Sequence, residues 1–109
     1  MSFDPVSAQL EAYNARDIDR FMPCFADDCV VEDGRGQVLM SGSAEMREKY
    51  GAMFAASPGL FCAVVTRVRA GDYVMDEERV VGRQAGGELH VMVVYRLEGE
   101  RIAHVRILR

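Results

Sequence analysis

From Leu60 to Leu108 the chain reads as strand and turn and nothing else. Leu60, Cys62, Val64, Thr66 and Val68 alternate with less apolar residues until Ala70-Gly71-Asp72 turns the chain. Tyr73 to Gly82 returns with mixed polarity on both faces, and Gly86-Gly87 turns it again. Leu89, Val91, Val93, Tyr95 and Leu97 share one face of the next strand. Glu98-Gly99-Glu100 then leads into a last strand from Ile102 to Leu108. Three or four long strands joined by turns this short have to pair antiparallel. A sheet that is apolar on one face must be covered by whatever precedes it.

What precedes it is helical around a short hairpin. Asp4 can cap a helix, and Pro5 follows where its missing N–H costs nothing. Val6, Leu10, Tyr13, Ile18, Phe21, Met22 and Phe25 recur at three- and four-residue steps, which predicts one long amphipathic helix, bent near Asn14 to Asp17 and again near Pro23. Cys29 to Glu32 reads as a strand, Gly34 and Gly36 as a turn, and Gln37 to Met40 as a second short strand. Ser43 opens a second helix with a stripe of Met46, Tyr50, Met53 and Phe54, stopped by Ser57-Pro58-Gly59. The expected architecture is α+β, a single domain over residues 1–109, with a curved antiparallel sheet wrapped over a long N-terminal helix.

Composition narrows the function. Half of the residues are apolar, enough for one hydrophobic core at this length. The net charge is -4, and the basic residues are scattered from Arg16 to Arg109 without forming a block, so nucleic acid is not an expected partner. No apolar run approaches the roughly 20 residues of a membrane-spanning helix. The N-terminal MSFDPVSAQL lacks a basic region followed by an apolar one, so cytoplasmic residence is the default expectation. Cys24, Cys29 and Cys62 form no disulfide framework and read as buried thiols. His90 and His104 have no closely spaced histidine partner, so no metal site is expected. The Gly34-Arg35-Gly36 string is a turn rather than a phosphate loop, and no cofactor is expected.

Two places carry unusual charge. Glu32 and Asp33 follow directly on core-type valines. Alternation sends them to opposite faces, so only one can serve a cavity. Asp33 is either a carboxylate at a cavity rim, where its pKa would rise, or a turn residue bonded to amides near Gly34 and Gly36. The string Asp76-Glu77-Glu78-Arg79 puts Asp76 and Glu78 on one strand face and Glu77 and Arg79 on the other. Val74 and Val80 favour the first face inward, Met75 and Val81 the second. An ion pair to Arg67, Arg69 or Arg96 is one reading; a second acid supplementing Asp33 is the other. The faces holding His90, Met92, Val94 and Arg96, and Ile102, His104, Arg106 and Leu108, are too apolar for solvent and too charged for a core. They fit a homodimer interface.

The strings Asn14-Ala15-Arg16-Asp17, Phe25-Ala26-Asp27-Asp28, Val31-Glu32-Asp33 and Ser41-Gly42 resemble the N-terminal half of ketosteroid isomerases. More broadly the whole chain resembles the SnoaL-like members of the nuclear transport factor 2-like superfamily. That resemblance implies a cone with an internal apolar pocket and, often, a homodimer through the outer sheet. It places the isomerase's general base at Asp33, its oxyanion-hole tyrosine at Gln9 (with Tyr13 one turn away) and its protonated aspartate near Val93. One of three catalytic positions is kept, and a base without donors makes a poor ketosteroid isomerase. Some members of the superfamily open epoxides with an acid–arginine–acid set. The expected pocket residues are Gln9, Tyr13, Phe21, Tyr50, Phe54, Val93, Tyr95, Val105 and Ile107. The expected ligand is a small apolar or ring-containing molecule, and the expected chemistry is cofactor-free acid–base catalysis with Asp33 as base and Asp76, Glu77 or Glu78 as possible second acid. Non-catalytic binding or dimerisation, and epoxide-hydrolase-like water activation, are the alternatives.

Overall fold

Asp4 begins the fold as its side chain suggests: Oδ1 accepts the amides of Val6 and Ser7, and α1 runs over Pro5–Asn14. The computed structural model describes residues 3–109. The helix stops sooner than the apolar spacing predicts. Arg16 takes a left-handed conformation (φ 52°), and its guanidinium donates to the carbonyls of Asn14 and Leu60 at 2.9 and 3.1 Å. Asp17 then caps a separate short helix, α2 (Ile18–Phe21), followed by one 3-10 turn over Met22–Cys24. The single long helix is thus two helices and a turn, because satisfying the chain ends locally competes with continuing the 3.6-residue pattern.

Pro23 ends the helical segment and β1 (Phe25–Asp33) follows, beginning four residues before the expected strand at Cys29. The hairpin partner β2 is Val38–Ser41, and α3 is Ser43–Ala56. Four long strands complete the chain: β3 (Phe61–Ala70), β4 (Tyr73–Val81), β5 (Leu89–Glu98) and β6 (Arg101–Leu108). One six-stranded sheet has the order β2-β1-β6-β5-β4-β3. It is mixed rather than wholly antiparallel, since β1 runs parallel to β6. Both strands at that junction carry apolar residues on the covered face, and the long crossover through β2 to β5 permits the parallel pairing.

The helices pack against one face of the sheet. Val6, Gln9 and Ala12 of α1, Phe21 of α2, and Met46 and Phe54 of α3 are buried against Cys29, Val31, Val74, Val91, Val93, Ile102 and Val105. Phe21 is the hub of this core, with ring centroids 4.8 Å from both Phe25 and Tyr50 and an edge-on contact to Phe54 at 5.4 Å. Burial of each such ring contributes about 2–3 kcal/mol. Asn14 fastens the end of α1 to β3. Its side-chain amide accepts from the Cys62 N–H and donates to the Cys62 carbonyl, in the manner of a neighbouring strand. The three cysteines are free and buried. No helix among the described residues is long and apolar enough to cross a membrane.

Two bulges change which side chains face inward. In β3, Val64 pairs with Glu78 and Thr66 with Glu77, so Val65 is an extra residue and the alternation slips there. Thr66 and Val68, expected to share a face with Cys62, turn outward, and Arg67 turns inward opposite Asp76. In β6, Leu97 pairs with Ile102 and Arg96 with His104, so Ala103 is the extra residue. Ile102, expected on the outer face, is fully buried at 0% exposure.

Candidate functional site

Strand β4 carries two acids into the core. Its pattern alternates, with Val74, Asp76, Glu78 and Val80 buried and Tyr73, Met75, Arg79 and Val81 exposed. Asp76 is fully enclosed and entirely engaged: Arg67 Nε and Nη2 donate to its two oxygens at 2.7 and 2.9 Å. Arg67 in turn donates to Ser7 Oγ at 2.9 Å, and Ser7 donates to the capping carboxylate of Asp4. This chain ties α1 to β3 and β4.

Glu78 is placed differently. It is only 6% exposed, yet the carboxyl has no arginine partner. The Tyr95 hydroxyl donates to Oε2 at 3.1 Å, and Gln9 Nε2 donates to Tyr95 Oη at 3.3 Å and to the Val6 carbonyl at 3.1 Å. Burial pushes the Glu78 carboxyl above the ordinary carboxylate range, against the opposing hydrogen bonds of Cys62 and Tyr95. Burial and the nearby Glu78 charge hold the Tyr95 phenol protonated, and burial pushes the Cys62 thiol up as well.

Glu78 borders a cavity of about 270 Å³ between the sheet and the helices. The α1 face supplies Gln9, Leu10 and Tyr13, which follow one another by helical spacing, and α3 supplies Tyr50 and Met53. Phe21, Val93, Tyr95, Val105 and Ile107 complete much of the wall, with Leu39 and Met40 of β2. Among the described residues, no protein group hydrogen-bonds the Tyr13 or Tyr50 hydroxyl, and burial raises both phenols, leaving two neutral donors on an apolar cavity. Phe54, expected in the wall, lies behind it, edge-on to Tyr13 at 5.4 Å. Val93 meets the cavity as a plain apolar surface.

The other expected acids lie elsewhere. Asp33 Oδ1 accepts the amides of Arg35 at 2.8 Å and Gln37 at 2.9 Å, so it clamps the β1–β2 turn, and it does not line the cavity. Glu32 faces outward to Arg106 and His104. Glu77 is also outward, accepting from Thr66 at 3.1 Å and lying 2.6 Å from His90 Nε2. Hydrogen bonding from His90 holds its carboxyl below the usual range. No three of His, Cys, Asp and Glu come together among the described residues in a way that could hold a metal ion.

Several lining residues were not expected in the cavity wall, among them Met53, Leu89, Val91 and Arg83. Arg83 falls between the expected strand end at Gly82 and the turn at Gly86-Gly87, and its side chain lines the cavity. The cause is long-range: Gly82, at φ +79°, sits so close to Gly59 that an added Cβ would lie 1.9 Å from the Gly59 carbonyl oxygen. No local pattern announces such a contact.

The fold has close relatives of known structure. An uncharacterised cystatin-fold protein from Novosphingobium aromaticivorans superposes with a TM-score of 0.88 at 28% identity, covering 96% of this chain and 95% of that one. A protein with a ketosteroid isomerase-like fold from Catenulispora acidiphila, in complex with trimethylamine, gives 0.76 at 21% identity, covering 98% and 85%. An epoxide hydrolase of the LEH-like type from M. tuberculosis gives 0.79 at 20% identity, covering 95% and 78%. No protein of curated function matches the chain. The sequence profile of the SnoaL-like domain matches residues 6–105, nearly the full length, and the chain belongs to that family.

Proposed function

We propose that this protein binds a small, largely apolar carbonyl compound in the cavity and moves a proton on it without a cofactor, with Glu78 as the acid–base group. One observation carries the reading: a buried carboxyl, steadied on one oxygen by Tyr95 and bonded to no arginine, opens on a largely apolar space. Its raised pKa makes Glu78 a stronger base than a solvated carboxylate. It would take a proton from the carbon beside the carbonyl, becoming a carboxylic acid as the carbonyl becomes an enolate. Tyr13 or Tyr50 would donate to the enolate oxygen, and Glu78 would return the proton at a second carbon. A volume of about 270 Å³ suits one or two rings, near the lower end of small-molecule pockets at roughly 300 Å³.

The role first assigned to Asp33 passes to Glu78 in this proposal, because Asp33 spends its oxygen on turn amides. Epoxide opening by an acid–arginine–acid set finds less support, since Arg67 and Asp76 satisfy one another and neither lines the cavity. The outer sheet face, with Val68, Met75 and Met92 exposed, is proposed as the surface of a homodimer.

The test follows the conjugated-enone absorbance as the protein meets 3-cyclohexenone, with Glu78→Gln and Asp33→Asn proteins alongside. Turnover lost in Glu78→Gln and kept in Asp33→Asn is the expected result. Turnover kept without Glu78 would reject the assignment, and ligand binding with no turnover in any protein would leave a binding module.

A further inference from the structure

The most exacting polar group on the cavity is Arg83. Its backbone is pinned on both sides: Gly82 presses against Gly59, and the Gln84 N–H donates to the buried Ser57 Oγ at 2.9 Å. The backbone thus starts the side chain at the cavity, which it lines. Its one hydrogen bond among the described residues runs from Nη2 to the Gly86 carbonyl at 3.2 Å. Nε is buried with no partner, and it is the one buried side-chain nitrogen or oxygen among the described residues in that position. A guanidinium cannot shed its proton, so an unpartnered buried donor on it is destabilising and needs an explanation.

We infer that the cavity takes its ligand by a carboxylate, received on the Nε edge of the Arg83 guanidinium. This rests on the reading of the cavity as a ligand site and specifies the substrate class. The Nε edge of a guanidinium offers two parallel N–H groups that match the two oxygens of a carboxylate. Val80, Leu89, Val91 and Met53 form apolar wall around the same space, which suits a ligand with one anionic head and a hydrocarbon body. Arg109 also borders the cavity and adds positive charge. Arg83 and Glu78 line the same cavity of about 270 Å³, so head and reacting carbon belong to one small molecule. The substrate class is a small cyclic or branched oxo-acid whose reacting carbon lies away from its carboxylate.

The test compares benzoate and cyclohexanecarboxylate with their uncharged amides. Calorimetry reads affinity, and the Arg83 Nε–H resonance of ¹⁵N-labelled protein reads the contact directly. The expected result is that the acids bind about tenfold or more tightly than the amides, move the Nε–H signal downfield, and lose that preference in Arg83→Met. Because the substitution removes an unpartnered donor, Arg83→Met is expected to melt no lower than the parent. Equal affinity for acids and amides, or an unmoved Nε–H signal in the parent protein, would overturn the carboxylate while leaving the cavity as a ligand site. Failure of both acids and amides to bind would overturn the carboxylate and the cavity reading together.

Discussion

A carboxyl in the place of an aliphatic side chain sets its own stability profile. Glu78 sits between Asp76 and Val80 on the buried face of β4, and burial raises its pKa above the model-compound value of 4.5. The folded protein therefore holds the proton more firmly than the unfolded chain. Its contribution to stability is complete below that ordinary value and is lost as pH rises through the raised folded pKa. Glu78→Gln keeps a partner for Tyr95 and has no charge to bury. It should melt above the parent at neutral pH, with the difference closing as pH falls toward about 4.5, as thermal melts across pH would read. Tyr95→Phe removes a donor that lowers the Glu78 pKa, so the acid limb of any turnover profile should move to higher pH. A profile unchanged by either substitution would remove Glu78 from the chemistry. The sequence presented Asp33 more prominently than Glu78 because a local string resembled a known base. Hydrogen bonding by the turn amides of Arg35 and Gln37 is invisible to such a likeness.

Among the elements, the β3 bulge at Val65 decides the character of the interior. By restoring Arg67 to the inner face it supplies the only cation opposite Asp76 in the register. Removing Arg67 strands a fully buried carboxylate, and Arg67→Met should cost about 3–5 kcal/mol in a denaturant titration. The double variant Arg67→Met/Asp76→Leu should recover much of that loss, since it buries no charge at all. Deleting Val65 should leave Arg67 opposite Asp76, since Val64, Thr66 and Arg67 then alternate without a slip, and so should cost far less than Arg67→Met. This also explains what alternation alone left open on β4: Val74 and Val80 argued for one face and Met75 and Val81 for the other with equal weight. The balance is tipped by a residue on the neighbouring strand, and only after a slip in that strand's own parity. Strand and helix positions from β2 onward were legible because turn residues mark their ends, even where alternation slips within β3 and β6. The bend expected near Asn14 to Asp17 is where the first helix ends, but a full break was not legible, because Arg16 reaches Leu60, 44 residues along the chain.

For the whole molecule, one face of the sheet is covered by helices and the other carries Val68, Tyr73, Met75 and Met92 in the open. If two copies cover that face for each other, Met92→Glu should shift sedimentation from dimer to monomer without unfolding the chain; a parent protein that sediments as a monomer would end the proposal. The family and the α+β order of elements were readable because they depend on strings and spacings spread over the full length. The parallel junction was not, because nothing local in β1 or β6 names its partner. That junction has a consequence for how the chain is made. β6 lies in the interior of the sheet, between β1 and β5, although it is the final strand of the described chain. During synthesis the hairpin of β1 and β2 and the meander of β3 to β5 emerge first, as two unjoined pieces with unsatisfied edges. The domain becomes one sheet only when β6 slides between them, so folding should be slow for its size and a nascent chain stalled before Arg101 should remain a chaperone client.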